Sequence, residues 1–197
     1  MVIWLNGAFG AGKTQTAYEL YRRLPDSFVY DPENAGYFMR ANLPEVCKGI
    51  DFQDYPMWRS VNYEMLRYIC RSYRGTVIVP MTLTNRTYYD EIIGALLRDG
   101  VDVRHFILSA SPQTLRQRLR KRLERKNCWA GQQIARCIRA FETDITQTKI
   151  ETDEKDIYTV VEEVARLCGL TLPPDTRSRV RKAADRLVIQ IKHWQVK

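Results

Sequence analysis

Eight residues near the start of the chain, Gly7-Ala8-Phe9-Gly10-Ala11-Gly12-Lys13-Thr14, restrict its fold more than any other stretch. Their spacing is G-x-x-x-x-G-K-[ST], a loop whose backbone N–H groups converge on phosphate oxygens. The context agrees. An apolar run, Val2-Ile3-Trp4-Leu5, precedes the loop and reads as a buried strand. Residues 16–24 after it read as a helix that stops before Pro25. A strand, a glycine turn and a helix N-terminus together make an anion cradle, because the helix adds positive partial charge at its start. Lys13 is placed to reach the outer phosphates, and the Thr14 hydroxyl to hold Mg²⁺. Gln15, next in line, is grouped with the nucleotide-binding residues.

The rest of the chain alternates. Strands are expected at 27–30, 76–79, 103–108 and 149–152. Helices are expected at 56–73, with Trp58, Val61, Met65, Leu66 and Ile69 inward, and at 88–98. Further helices are expected after Ser111-Pro112, at 130–141 and at 157–168. Such alternation predicts an α/β three-layer fold of the P-loop NTPase kind, with a five-stranded parallel sheet between helices. Pro173-Pro174 divides a domain of residues 1–172 from a basic amphipathic helix within 173–197. Inside the domain, residues 32–60 read as a substrate-binding insertion and 118–132 as a lid.

The formal net charge of +8 raises the question of nucleic acid. The excess lies in 116–126 and 177–197, without the interleaved aromatics of a single-strand-binding surface, so no nucleic-acid partner is expected. The five cysteines, 47, 70, 128, 137 and 168, are scattered without metal-type spacing and read as free thiols in a reducing cytosol. No apolar run is long enough to span a bilayer, and the early strand and loop leave no signal-peptide pattern, so a cytoplasmic location is expected. His105 is expected at a strand edge.

Ligands in such sheets sit at the carboxyl ends of the strands. Three segments should therefore converge there: the glycine loop, Asp31-Pro32-Glu33 and Pro80-Met81-Thr82. Asp31 is the candidate general base and a second Mg²⁺ ligand, and Glu33 is a candidate to share the metal or bind substrate. Arg59, on the helix after Tyr55-Pro56-Met57-Trp58, and Arg40, in the loop before it, are candidate anchors for an anionic or hydroxylated substrate. Tyr37, Phe38, Phe52, Tyr55, Trp58 and Tyr63 supply aromatic surface, some for the core and some for a pocket. Arg118 and Arg122 lie four apart on one helix face and could neutralise a transferring phosphoryl group, with 126–129 as a closing loop. No carboxylate ends the third strand, where a hydrolytic P-loop motor carries one. In the terminal helix Val180, Ala184, Leu187, Ile191 and Trp194 share a stripe amid basic residues, a pattern that suits either packing on the domain or peripheral contact with an anionic membrane.

The order of these motifs is similar to the shikimate kinase and nucleoside-monophosphate kinase group. Leu115-Arg116-Gln117-Arg118-Leu119-Arg120-Lys121-Arg122 looks like the start of that group's lid, Asp31-Pro32-Glu33 resembles its Asp-x-Asp, and Trp58-Arg59 its Phe-Arg substrate anchor. By that likeness Ile150-Glu151-Thr152-Asp153 borders the adenine, while Pro80-Met81-Thr82 departs from the group's glycine triplet. The whole chain resembles the ATP-binding tunicamycin-resistance proteins more fully. Trp4-Leu5-Asn6-Gly7-Ala8-Phe9-Gly10, Tyr30-Asp31-Pro32-Glu33, Asp51-Phe52-Gln53-Asp54-Tyr55-Pro56, Val79-Pro80-Met81-Thr82 and Pro174-Asp175-Thr176-Arg177 carry that resemblance. It implies ATP with Mg²⁺ as cofactors and resistance to a lipid-linked uridine nucleoside antibiotic. Three readings stay open: phosphotransfer to a drug hydroxyl, ATP-dependent sequestration of the drug, and a metabolic small-molecule kinase.

Overall fold

The computed structural model describes residues 1–121 and 129–194. Five strands form one parallel sheet: β1 (Val2–Gly7), β2 (Ser27–Val29), β3 (Thr76–Pro80), β4 (Val103–Ser109) and β5 (Thr148–Glu151), in the order β2-β3-β1-β4-β5. β1 and β3 are buried along their whole length, as strands covered by helices on both faces must be. Ile3 pairs with Ile78 on one side of β1, and Leu5 with Phe106 on the other. Because β1 lies between β3 and β4, successive connections leave it in opposite directions, and a crevice opens at its carboxyl end.

The helices are α1 (Lys13–Arg23), α2 (Glu33–Asn42), α3 (Pro56–Ser72), α4 (Arg86–Tyr89), α5 (Ala95–Arg98), α6 (Pro112–Lys121), α7 (Trp129–Gln132), α8 (Ile134–Thr143), α9 (Ile157–Leu167) and α10 (Arg179–Trp194). A π-helical turn, Asp90–Gly94, joins α4 to α5. The expected 130–141 helix is therefore two pieces, α7 and α8. The start of α4 is fixed by Asn85, whose carbonyl oxygen accepts the N–H groups of Thr87 and Tyr88. Asp156 caps α9 in the same way through Thr159 N.

Several sequence expectations are corrected. Residues 33–42 form α2, so Arg40 stands on a helix and not in a loop. The helix was legible in principle: Asp31 Oδ1 accepts Glu33 N at 3.0 Å, and Pro32 precedes the first helical residue. On α3, Trp58, Asn62 and Leu66 are buried, while Val61 and Met65 lie on the exposed side. His105 sits on β4, an interior strand, and is buried. The four described cysteines form no disulfide, and Cys128 lies outside the described residues.

α10 also departs from expectation. It docks along α1, but not through its apolar stripe. Val180, Leu187, Val188 and Ile191 stay exposed, and Ile189 is buried. The docking face is polar. Arg177, just before the helix, pairs with Glu19, Asp175 and Asp185. Lys182 pairs with Asp175 and lies over the Tyr158 ring. Gln15 Nε2 donates to Arg186 O at 3.0 Å. Exposed ion pairs contribute about 0–1 kcal/mol each, so it is the partly buried Arg177 network together with Ile189 that holds the helix.

Candidate functional site

The glycine loop closes between β1 and α1 with left-handed φ angles of +140° at Gly7 and +88° at Gly10. A Cβ on Gly7 would lie 2.5 Å from Leu108 O, and one on Gly10 would lie 3.0 Å from Leu115 O. Both positions require glycine because the loop backbone is pressed against β4 and α6. Lys13 Nζ is held over this loop. It donates to Gly7 O at 2.8 Å and Ala8 O at 3.1 Å, and lies 5.5 Å from the Phe9 ring. The first turn of α1 directs its N–H groups into the same space. These residues fit a polyphosphate: a narrow backbone cradle, a helix N-terminus and an ammonium at its rim. Among the described residues no group of three or more His, Cys, Asp or Glu is placed to hold a metal ion.

Beside this loop lies a cleft of about 380 Å³. Phe9 of the loop, Glu33, Tyr37 and Arg40 of α2, Ile50–Gln53, Met81 and Thr82 after β3, and Trp129 and Ala130 of α7 line it. Hydrogen bonds lock these segments together. Thr82 Oγ1 donates to Gly7 O at 2.9 Å, and Gln53 Nε2 donates to Thr82 O at 3.1 Å. Trp58 Nε1 donates to Pro32 O at 3.0 Å, which holds the turn before α2. Gly36 lets α2 approach Phe52 so closely that a Cβ there would lie 2.5 Å from the ring.

Asp31, at the tip of β2, is 11% exposed at its side chain. Its Oδ1 takes the Glu33 N–H, and its Oδ2 lies 3.6 Å from His193 Nδ1 at the far end of α10. Burial, and then the Asp31 charge, push the Tyr30 phenol up to about 12 and raise that of Tyr18. Glu33 faces the cleft and accepts the Tyr37 hydroxyl at 2.7 Å.

The other expected site residues divide. Glu33, Arg40, Met81 and Thr82 line the cleft, and Asp31 is not among its lining residues. Trp58 is completely buried and works as a support behind the cleft wall. The Arg59 guanidinium pairs with Glu91, donates to Gln53 O at 2.7 Å and stacks 4.3 Å from the Tyr88 ring centroid. Gln15 turns toward α10. Arg118 bonds to the Thr152 hydroxyl at 2.9 Å and to the Thr152 carbonyl, while Asp153 accepts Ser111 N and Oγ. Those hydrogen bonds, chiefly from Thr114 and Ser111, hold the Asp153 carboxyl below its ordinary range. Arg122 and 126–128 of the expected lid lie outside the described residues. Asp51, Gln53 and Trp129 were not identified as site residues. The DFQDYP run was visible as a motif, but nothing local tied it to the glycine loop.

A parallel sheet with a phosphate loop at its switch point, faced by a cleft of metabolite size, defines a kinase-like P-loop nucleotide-binding protein. The AAA domain family matches residues 2–144. No curated protein matches the sequence at a significant level. Among solved structures, the tunicamycin resistance protein of Deinococcus radiodurans is 33% identical, with a TM-score of 0.76, covering 88% of this chain and 98% of that one. A sugar kinase from Janibacter sp. HTCC2649 shares the fold at 17% identity, TM-score 0.61, covering 86% of this chain and 95% of its own. Shikimate kinase from Bacteroides thetaiotaomicron does so at 21% identity, TM-score 0.56, covering 86% and 99%. This chain belongs to the AAA domain family of P-loop proteins and, within it, to the family of the tunicamycin resistance protein.

Proposed function

We propose that the protein confers resistance to a nucleoside antibiotic such as tunicamycin by transferring the γ-phosphoryl group of ATP to a drug hydroxyl. The observation that carries this reading is the shared wall between donor loop and cleft. Phe9 belongs to both, and Thr82 ties the cleft to Gly7. ATP·Mg, when bound, supplies the transferable group and the metal charge that offsets its oxygens. Lys13, held on the Gly7 and Ala8 carbonyls, would turn toward the phosphates. Thr14 and Asp31 would hold the metal. Asp31 would take the hydroxyl proton, and Glu33, which lines the cleft and whose N–H Asp31 accepts, would orient the acceptor. Arg118, held by Thr152, and Asp153 would border the adenine, on the reading that Ile150–Asp153 lines that side. A phosphate on the drug would place charge where its target accepts a neutral hydroxyl. The test is mass spectrometry of tunicamycin after incubation with the protein and ATP·Mg. A gain of one phosphoryl group is expected, and an unchanged drug with folded, ATP-binding protein rejects the reading.

The exposed stripe of α10 favours a second reading, ATP-dependent sequestration at the inner face of a membrane. Val180, Leu187, Val188 and Ile191 face outward, with Arg179, Arg181 and Lys192 around them. No described helix is long and apolar enough to cross a bilayer, so any such contact is peripheral. On this reading Asp31→Asn still protects cells and deletion of 176–197 does not. The opposite pattern favours phosphotransfer.

A further inference from the structure

The charges around the cleft carry information about the acceptor. Among the described residues that line it, two are carboxylates, Glu33 and Asp51, and Arg40 is the sole cation. Arg40 is engaged through Nη2, which donates to Gly49 O and Ile50 O, both at 2.6 Å, and so clamps the chain between α2 and α3, while its buried Nε has no hydrogen-bond partner among the described residues. Arg59, the residue best suited by type to grip an anion, is engaged by Glu91, Gln53 O and the Tyr88 ring. Asp51 accepts Gln53 N at 3.0 Å and so caps the turn at Phe52–Asp54. Burial pushes its carboxyl above the ordinary range, and the Gln53 N–H and the Arg136 and Arg40 charges oppose that only in part. Two aromatic pairs stand in the walls. Phe9 meets Trp129 edge-on at 5.1 Å between centroids, and Tyr37 meets Phe52 at 5.9 Å. Aromatic walls with carboxylates at the rim suit a ring that donates hydrogen bonds, and they repel a second negative charge.

We propose that this cleft selects a neutral, ring-bearing acceptor that donates hydrogen bonds to Asp51 and Glu33, and that it rejects anionic acceptors. The inference rests on reading the cleft as the acceptor side of the site. Asp51 is then a specificity residue that sets the charge of what enters. An anionic acceptor calls for a cation turned toward it, and among the described residues Arg40 serves the 49–50 backbone through Nη2 and Arg59 is held by Glu91.

Calorimetry on the full chain, with a non-hydrolysable ATP analogue and Mg²⁺ at pH 7.5, tests this with two probes that share one ring: uridine and uridine 5′-monophosphate. Uridine is expected to bind at least tenfold more tightly than the monophosphate. Asp51→Asn keeps the cap on Gln53 N, so the turn should hold. It should weaken uridine at least fivefold and bring the two probes within threefold of each other. Equal or tighter binding of the monophosphate to the wild type, an unchanged ratio in Asp51→Asn, or no uridine binding by protein that holds the ATP analogue would overturn the proposal. The outcomes separate from those of the proposed function. Tunicamycin left unmodified while uridine outbinds its monophosphate removes the drug reaction and keeps the selectivity. Tunicamycin phosphorylated by a protein that prefers the monophosphate does the reverse.

Discussion

The donor side and the acceptor side of this site are built in different ways. The phosphate cradle is a single segment, Gly7 to Thr14, and its shape is set by left-handed glycines and the start of α1. The cleft beside it draws on α2, the 50–53 segment, the tip of β3 and α7, joined by side-chain bonds across 29 residues (Gln53 to Thr82) and 75 residues (Thr82 to Gly7). One side is a local property of the backbone, and the other exists only after the sheet has formed. Damage to the first should therefore be chemical and confined, while damage to the second should spread into stability.

The largest effect is expected from Lys13→Ala. Loss of the ammonium should lower ATP-dependent turnover by about two orders of magnitude or more, with little change in circular dichroism or in acceptor binding. Calorimetry with each ligand separately checks it. The comparison between the sides breaks if acceptor binding is lost as well. Trp58→Ala tests the other side. Removing this buried ring and its bond to Pro32 O should cost about 3–5 kcal/mol in urea unfolding, whereas Trp58→Phe should cost about 1–2 kcal/mol and leave ATP affinity intact.

A third measurement concerns pH. Burial lowers the His105 imidazole from 6.5 to about 3, and neither ring nitrogen has a hydrogen-bond partner among the described residues. The unfolded chain therefore binds the proton that the folded one refuses. Stability is undiminished above about pH 6.5 and falls as pH drops toward 3, by about 2 kcal/mol at pH 5 from this residue alone. His105→Leu should remove that part of the slope in chemical denaturation at pH 7 and pH 5. An equal slope in both proteins would show that His105 titrates normally. The smallest effect is expected from Gly36→Ala. The added methyl meets the Phe52 ring, so acceptor affinity should fall by a few fold while ATP affinity stays unchanged. Equal weakening of both ligands would mean that the two sides are mechanically one.

The parallel sheet, its five strands and the glycine loop were legible in the chain because each depends on neighbours in sequence: an apolar run, a turn residue, a helix cap. Asp31 and Glu33 were legible as a motif, and the structure adds that Asp31 accepts the Glu33 N–H in the turn before α2 while Glu33 lines the cleft. Arg59 and Trp58 show where residue type misleads. An arginine after an aromatic reads as an anchor, yet Glu91, which engages it, lies 32 residues away, and the tryptophan is buried. On α10 the amphipathic stripe was read correctly as a pattern, but which face would be covered was not. Glu19, on α1, is a partner 158 residues from Arg177, and that ion network turned the apolar stripe outward.

Taken alone, the order of residues determined the fold class and the phosphate cradle, since backbone conformation and strand burial follow from local sequence. Only the tertiary structure decided which side chains face the cleft, which arginines are left to meet a ligand and where α10 lies. Those outcomes depend on hydrogen bonds and charges brought together from distant parts of the chain, whose energies exist only once the sheet has placed them side by side.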